Sequence, residues 1–241
     1  MMPEQPWQYQ PARDLGRPWP ARLRQFPREP DMLVYALRAL AAVPLRAFLR
    51  TYHRLPVVGR EHLPRAGSFV IAANHSSHLD ALCLISALPL ARLHHTFPAA
   101  AQDYFFVSLS RLAPATIFVN AIPFAREAHL RASLDLCRQL LAAPGNILIL
   151  FPEGTRTTTG ALGEFRPGIG SLVAGTDVPV VPCAIQGAFR AWPKGAGFPR
   201  PYALRLVVGA PRRYAHLPPG KESSGRIASE LRSAVQELSC Q

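Results

Sequence analysis

SFVIAANHSSHLDALCLISAL, residues 68–88, passes from a β-forming apolar run through a polar loop into a helical pattern. Residues 68–74 are short and apolar enough for a buried strand, and residues 77–88 read as a helix closed by Pro89. A strand feeding a helix within a few residues is the repeating unit of an α/β sheet, and polar groups at that junction lie where such sheets gather their chemistry. The alternation continues along the chain. Strands are expected in 96–100, 116–125, 146–153, 178–185 and 202–209, and helices in 127–143, stopped by Pro144-Gly145, and in 223–238. The predicted fold is α/β: a largely parallel central sheet with flanking helices, preceded by an N-terminal amphipathic membrane-docking helix.

Three regions follow. Residues 1–31 hold seven prolines among arginines, a density that resists helix and ladder pairing, and are expected to form a flexible arm. Residues 32–56 are a basic amphipathic helical segment, and residues 57–241 the α/β domain. In the helical segment Leu33, Leu37, Leu40, Ala41 and Phe48 share one face, while Arg38, Arg46, Arg50 and Arg54 occupy the other side. Pro44 is expected to interrupt or kink it. Such a helix can lie in a membrane interface with its arginines reaching anionic headgroups.

Composition narrows the function classes. Hydrophobic residues make up 49% of 241, which excludes a disordered chain. No run of 18 uncharged apolar residues marks a certain transmembrane helix, and the first 31 residues lack the apolar core of a secretory signal. The formal net charge is +12, and residues 1–60 carry ten Arg against four acids. An anionic partner is expected: a bilayer surface or a phosphate-bearing substrate. Nucleic acid is not, because no recognisable binding motif accompanies the charge. Cys83, Cys137, Cys183 and Cys240 are far apart in sequence and suit free thiols in a reducing compartment.

The loop NHSSHLD (74–80) offers a specific chemistry. With His75 on the loop and Asp80 in the first turn of the helix, the carboxylate can accept the imidazole N–H, fix its tautomer and leave the other nitrogen basic. No G-x-S-x-G nucleophile exists, so the pair suits deprotonation of a substrate hydroxyl. A polar helix start without catalysis stays open on spacing alone. His75, His78 and Asp80 lack a dizinc spacing and no downstream histidine cluster completes a ligand set, so no metal is expected. FPEGTR (151–156) follows a strand directly. Pro152 and Gly154 shape a turn that presents Glu153 and Arg156, an arginine fork suits phosphate, and backbone N–H groups near Gly154 and Thr155 could add donors. An ordinary turn with a surface ion pair is the plainer alternative.

NHSSHLD and FPEGTR, in that order and separation, resemble the first and third blocks of the glycerolipid acyltransferases, the lysophosphatidic acid/glycerol-3-phosphate acyltransferase family. IFVNAIPFAR (117–126) and VPVVPCAIQG (178–187) resemble the second and fourth blocks. The resemblance covers roughly residues 57–210. It implies acyl transfer from acyl-CoA or acyl-carrier protein to a lysophospholipid hydroxyl, with 1-acyl-sn-glycerol-3-phosphate as the expected acceptor. His75 would be the base and Asp80 its orienting partner. Arg126, Glu153, Gly154, Thr155 and Arg156 would hold the acceptor. No cofactor or metal is implied, and the enzyme would sit on the cytoplasmic face of a membrane, peripheral or monotopic. Ala101 stands where relatives often carry lysine. A different lysolipid acceptor is therefore one alternative, and a catalytically silent protein of anionic membranes another.

Overall fold

The structure is a computed structural model that describes residues 14, 16–18, 21–22, 26, 28–101, 113, 115–124 and 130–241. Seven strands form one sheet: β1 Val57–Val58, β2 Phe69–Ala73, β3 Thr96–Ala101, β4 Ile122–Phe124, β5 Ile147–Leu150, β6 Val180–Gln186 and β7 Arg205–Val208. Their spatial order is β1-β7-β6-β2-β5-β3-β4. Every pairing is parallel except β6 with β7, which is antiparallel. The central strands are apolar without alternation because both sides of the sheet are covered. Phe69, Ile71 and Ala73 of β2 enter one core layer, and Val70 and Ala72 the other.

The first layer contains α1 (Met32–Thr51) and α2 (Leu79–Ala87); the second contains α3 (Leu130–Ala142), α4 (Gly168–Val173) and α6 (Lys221–Ser239). A single turn, α5 (Ala188–Ala191), follows β6. The strand and helix positions read from 68–88, 146–153, 178–185, 202–209 and 223–238 agree with these elements. Residues 116–125 differ. Residues 115–117 are helical, Asn120 takes the left-handed conformation (φ 58°), and among the described residues of this stretch only Ile122–Phe124 form a strand. Asn120 tolerates that conformation better than most residues, and its side-chain amide donates to His94 O and Thr96 O, which anchors the turn. Cys83, Cys137 and Cys183 are buried free thiols, and Cys240 is exposed.

α1 corrects the expected polarity. It runs through Pro44 as one helix, capped by Asp31 Oδ1, which accepts from Leu33 N (3.0 Å) and Val34 N (3.2 Å). The residues around the hydrogen bond that Pro44 cannot make, Leu40, Val43 and Pro44 itself, are exposed. Leu33 and Leu40, each 69% exposed, point outward with Leu37 and Val43, while Arg38 is buried. Arg38 donates to Ile117 O (2.8 Å) and Thr116 O (3.0 Å), and Arg46 donates to Leu88 O. Those carbonyls close the helical turn 115–117 and the C-terminal end of α2. Both inward arginines therefore satisfy helix-end acceptors that lack a partner within their own helix, and they lie at the negative pole of each. Arg50 and Arg54 remain exposed. With a mean hydropathy of 1.6, α1 is long and apolar enough to cross a membrane, yet Ala42 and Leu49 pack it along the domain.

α4 and α6 meet at backbone distance: a Cβ on Gly170 would lie 2.3 Å from Ser224 O, whereas one on Gly225 meets nothing within 4 Å. Alanine at these two helical glycines is thus expected to act in opposite directions. Gly225→Ala should stabilise by about 0.5–1 kcal/mol. Gly170→Ala must push two helices apart and should destabilise by about 1–3 kcal/mol. Urea midpoints of the two variants check the pair, and a neutral Gly170→Ala would contradict the close approach.

Candidate active site

β2 and β6 continue their pairing past the end of β2 through a side chain. Asn74 Nδ2 donates to Ile185 O (2.9 Å) and Asn74 Oδ1 accepts from Ile185 N (2.7 Å), so the amide imitates one more rung of the ladder. The backbone of His75 is then gripped from the other side. His75 N donates to Glu153 Oε1 (2.6 Å), and His75 O accepts from Thr157 N (2.9 Å).

At the start of α2, Asp80 is fully buried. Its Oδ2 accepts from Ser76 N (2.6 Å), Ser77 N (2.7 Å) and the ring Nδ1 of His75 (2.9 Å). Ser77 Oγ accepts from Leu79 N and donates to Trp192 O, fixing the first turn against α5. A buried carboxylate is tolerated here because three donors converge on one oxygen and the helix N-terminus favours negative charge. The His75 ring stacks on Phe151 with centroids 4.1 Å apart, and its side chain keeps 22% exposure. With Nδ1 as donor to Asp80, Nε2 is the nitrogen left to accept a proton.

Glu153 is built into the scaffold. Its Oε2 accepts from Gly163 N (2.9 Å) while Oε1 holds His75 N, so both oxygens face protein N–H groups. Burial pushes its carboxyl above the usual range, opposed by those two donors. In this structure Glu153 ties the FPEGTR turn to the His75 loop, a different place from the substrate contact expected of it. Gly154 is left-handed (φ 75°), and a Cβ there would lie 2.8 Å from Arg166 Nε. Its N–H donates to Phe151 O (2.9 Å), which closes the turn and removes that group from the expected anion donors. Thr155 is exposed and Arg156 half-buried. Arg156 is near enough to His78 to act on it: burial, then Arg156, then His75 lower the His78 pKa to about 4. Arg126 lies outside the described residues. Sequence reasoning passed over Asn74 and Phe151 as site-forming side chains, although both stand inside the two quoted motifs.

A largely parallel sheet whose β2 loop carries an imidazole bonded through Nδ1 to a buried carboxylate defines an arrangement in which one ring nitrogen is held and the other can take a proton. The family model described as Acyltransferase matches residues 54–186, and the chain belongs to that family. It is 28% identical over 191 residues to the 1-acyl-sn-glycerol-3-phosphate acyltransferase LPAT1, chloroplastic, of Arabidopsis thaliana, covering 77% of this chain and 49% of that protein. It is 27% identical over 198 residues to the 1-acyl-sn-glycerol-3-phosphate acyltransferase of Bacillus subtilis, covering 80% and 92%. The chain spans about half the length of several curated relatives it matches. The crystal structure of the 1-acyl-sn-glycerophosphate (LPA) acyltransferase PlsC from Thermotoga maritima shares the fold, with a TM-score of 0.63 at 22% identity over 85% of this chain and 82% of that one.

His78 gives a pH signature. The unfolded chain protonates it below pH about 6.5, the folded protein only below about 4. Between those values the unfolded state binds more protons, so stability falls as the pH drops through that window. His78→Gln should lose less stability than the parent between pH 6.5 and 4 in urea titrations; parallel losses would contradict a neutral, half-buried His78.

Proposed function

We propose that the protein transfers a fatty acyl group from acyl-CoA or acyl-carrier protein to the free hydroxyl of 1-acyl-sn-glycerol-3-phosphate, giving phosphatidic acid at a membrane surface. The observation that carries this reading is the 2.9 Å contact from His75 Nδ1 to the buried Asp80 carboxylate, which leaves Nε2 open. Nε2 removes the acceptor's hydroxyl proton as the oxygen attacks the thioester carbonyl. Asp80 stabilises the imidazolium and keeps its orientation. Collapse of the tetrahedral intermediate forms the ester and expels the thiolate, which takes the proton from His75. Arg156, with Arg126, binds the acceptor phosphate, and Thr155 borders that site. Glu153 and Gly154 act by shaping the turn that carries Arg156.

Membrane association is supported by the outward apolar stripe of α1, Leu33, Leu37, Leu40 and Val43, with Arg50 and Arg54 exposed toward its far end. That stripe suits an interfacial helix whose apolar side enters the acyl boundary and whose other side stays on the protein. The surface is expected to be the cytoplasmic leaflet, whose anionic lipids attract a chain of net charge +12.

The test is an acyl-transfer panel with several lysolipids and both donor types, read by mass spectrometry. The parent should form phosphatidic acid from 1-acyl-sn-glycerol-3-phosphate. His75→Ala should lower turnover about 10²–10⁴-fold, the range of a positioned general base. Full turnover in that variant removes the base assignment, and product only from phosphate-free lysolipids removes the acceptor.

A further inference from the structure

A cavity of about 260 Å³ lies at the other end of the sheet. It opens where β3 begins and where residues before α1 cross the domain, whereas His75 leaves the carboxyl end of β2. The two sites are therefore separated by the length of a strand, about 15 Å.

Three side chains of its wall, from three elements, each carry a buried hydrogen-bonding atom without a partner. Arg38 is 4% exposed; its Nε and Nη2 serve Ile117 O, Thr116 O and Asn120 Oδ1, but Nη1 is buried with no partner. Thr116 Oγ1 and His94 Nδ1 are buried and unpartnered as well. All three residues line the cavity, as does Arg28. Burial, then the positive charge of Arg38, lowers the Arg28 pKa to about 10, so the two guanidinium groups repel each other. Among the described residues no carboxylate is ion-paired with Arg38. The carboxylates on the rim are Asp14, Glu29 and Asp31, of which Asp14 and Asp31 pair with Arg22 and Asp31 also caps α1. A buried cation with an unbonded N–H is costly unless an anion or an acceptor meets it. The other walls are apolar, among them Phe97 and Leu140. Leu33 and Leu37, outside on the same helix, belong to the exposed stripe one turn away.

We propose that this cavity binds a phosphate-type oxyanion, held by Arg38 Nη1 and Thr116 Oγ1, with the apolar wall accommodating the first carbons of an alkyl chain. A hydroxyl and a guanidinium can both donate to such an oxygen. His94 completes the set as a neutral imidazole with its hydrogen on Nδ1, the ring being kept from protonation by burial and by Arg38. A bound oxyanion bridges α1, the 115–117 turn and the 3-10 helix Leu90–His95, and so stiffens the seat of the helix that carries the apolar stripe. The donor set stands independently of the acyl-transfer reading.

Calorimetric titration of the full chain at constant ionic strength tests the site, with hexyl phosphate and inorganic phosphate as probes. Thr116→Val keeps the volume and removes only the hydroxyl; it should weaken hexyl phosphate about tenfold, the typical effect of one hydrogen bond to a charged group. Arg38→Gln should abolish the binding, and circular dichroism shows whether that variant folds. His75→Ala should bind as the parent does, so failure of the catalytic assignment leaves the result readable, and any anion site at Arg156 contributes a component that Thr116→Val does not change. Hexyl phosphate binding more tightly than inorganic phosphate assigns the source to a lipid headgroup; equal, Thr116-dependent binding assigns it to free phosphate. Binding unaltered by Thr116→Val, or absent with both probes, overturns the proposal.

Discussion

A carboxylate buried at the start of a helix sets the terms for everything around it. Asp80 sits with one oxygen facing Ser76 N, Ser77 N and His75 Nδ1, all within 2.9 Å. Two backbone donors and a helix N-terminus make an ionised carboxylate tolerable in a fully buried position. The same arrangement decides which imidazole nitrogen carries the hydrogen. Removing the charge would loosen the loop and free the ring together, so folding and chemistry share one interaction.

The loop is also held from outside. Asn74 extends the β2–β6 pairing by one side-chain rung, and Glu153 and Thr157 secure the backbone of His75 from the β5 side. His75 is thus fixed between the two strands that flank β2. That explains why a turn 78 residues further along the chain belongs to the same site. It also shows what holds FPEGTR in place: Glu153 ties the turn to the His75 loop and the Gly154 N–H closes it.

Much of this was legible in the residues. The apolar runs of β2, β5 and β6 stand out because both of their faces are buried, and the five-residue interval from His75 to Asp80 already suited a loop residue bonded to a first-turn acid. Other features had no local signal. β1 is two residues and α4 six, too short for a period to emerge. The β-branched residues of 116–119 suggested a strand, but the left-handed Asn120 and its bonds to His94 and Thr96 carbonyls impose a turn. Glu153 looked like a ligand because its true partners are backbone N–H groups of residues 75 and 163, which no side-chain pattern records. The faces of α1 expected from a helical wheel hold only in part: Leu33, Leu37 and Leu40 lie together outside, but Phe48 packs on the core and Arg50 is exposed. Arg38 and Arg46 turn inward because two helix ends offer carbonyls there, which leaves the leucines outside.

The central claim concerns a single proton on His75, and nitrogen NMR of histidine-labelled protein reads it directly. Near neutral pH the account predicts an Nδ1-protonated ring whose Nε2 has the shift of an unprotonated nitrogen, with the Nδ1–H resonance far downfield and altered by Asp80→Asn. A ring protonated at Nε2 instead, with Nδ1 bare, would contradict it.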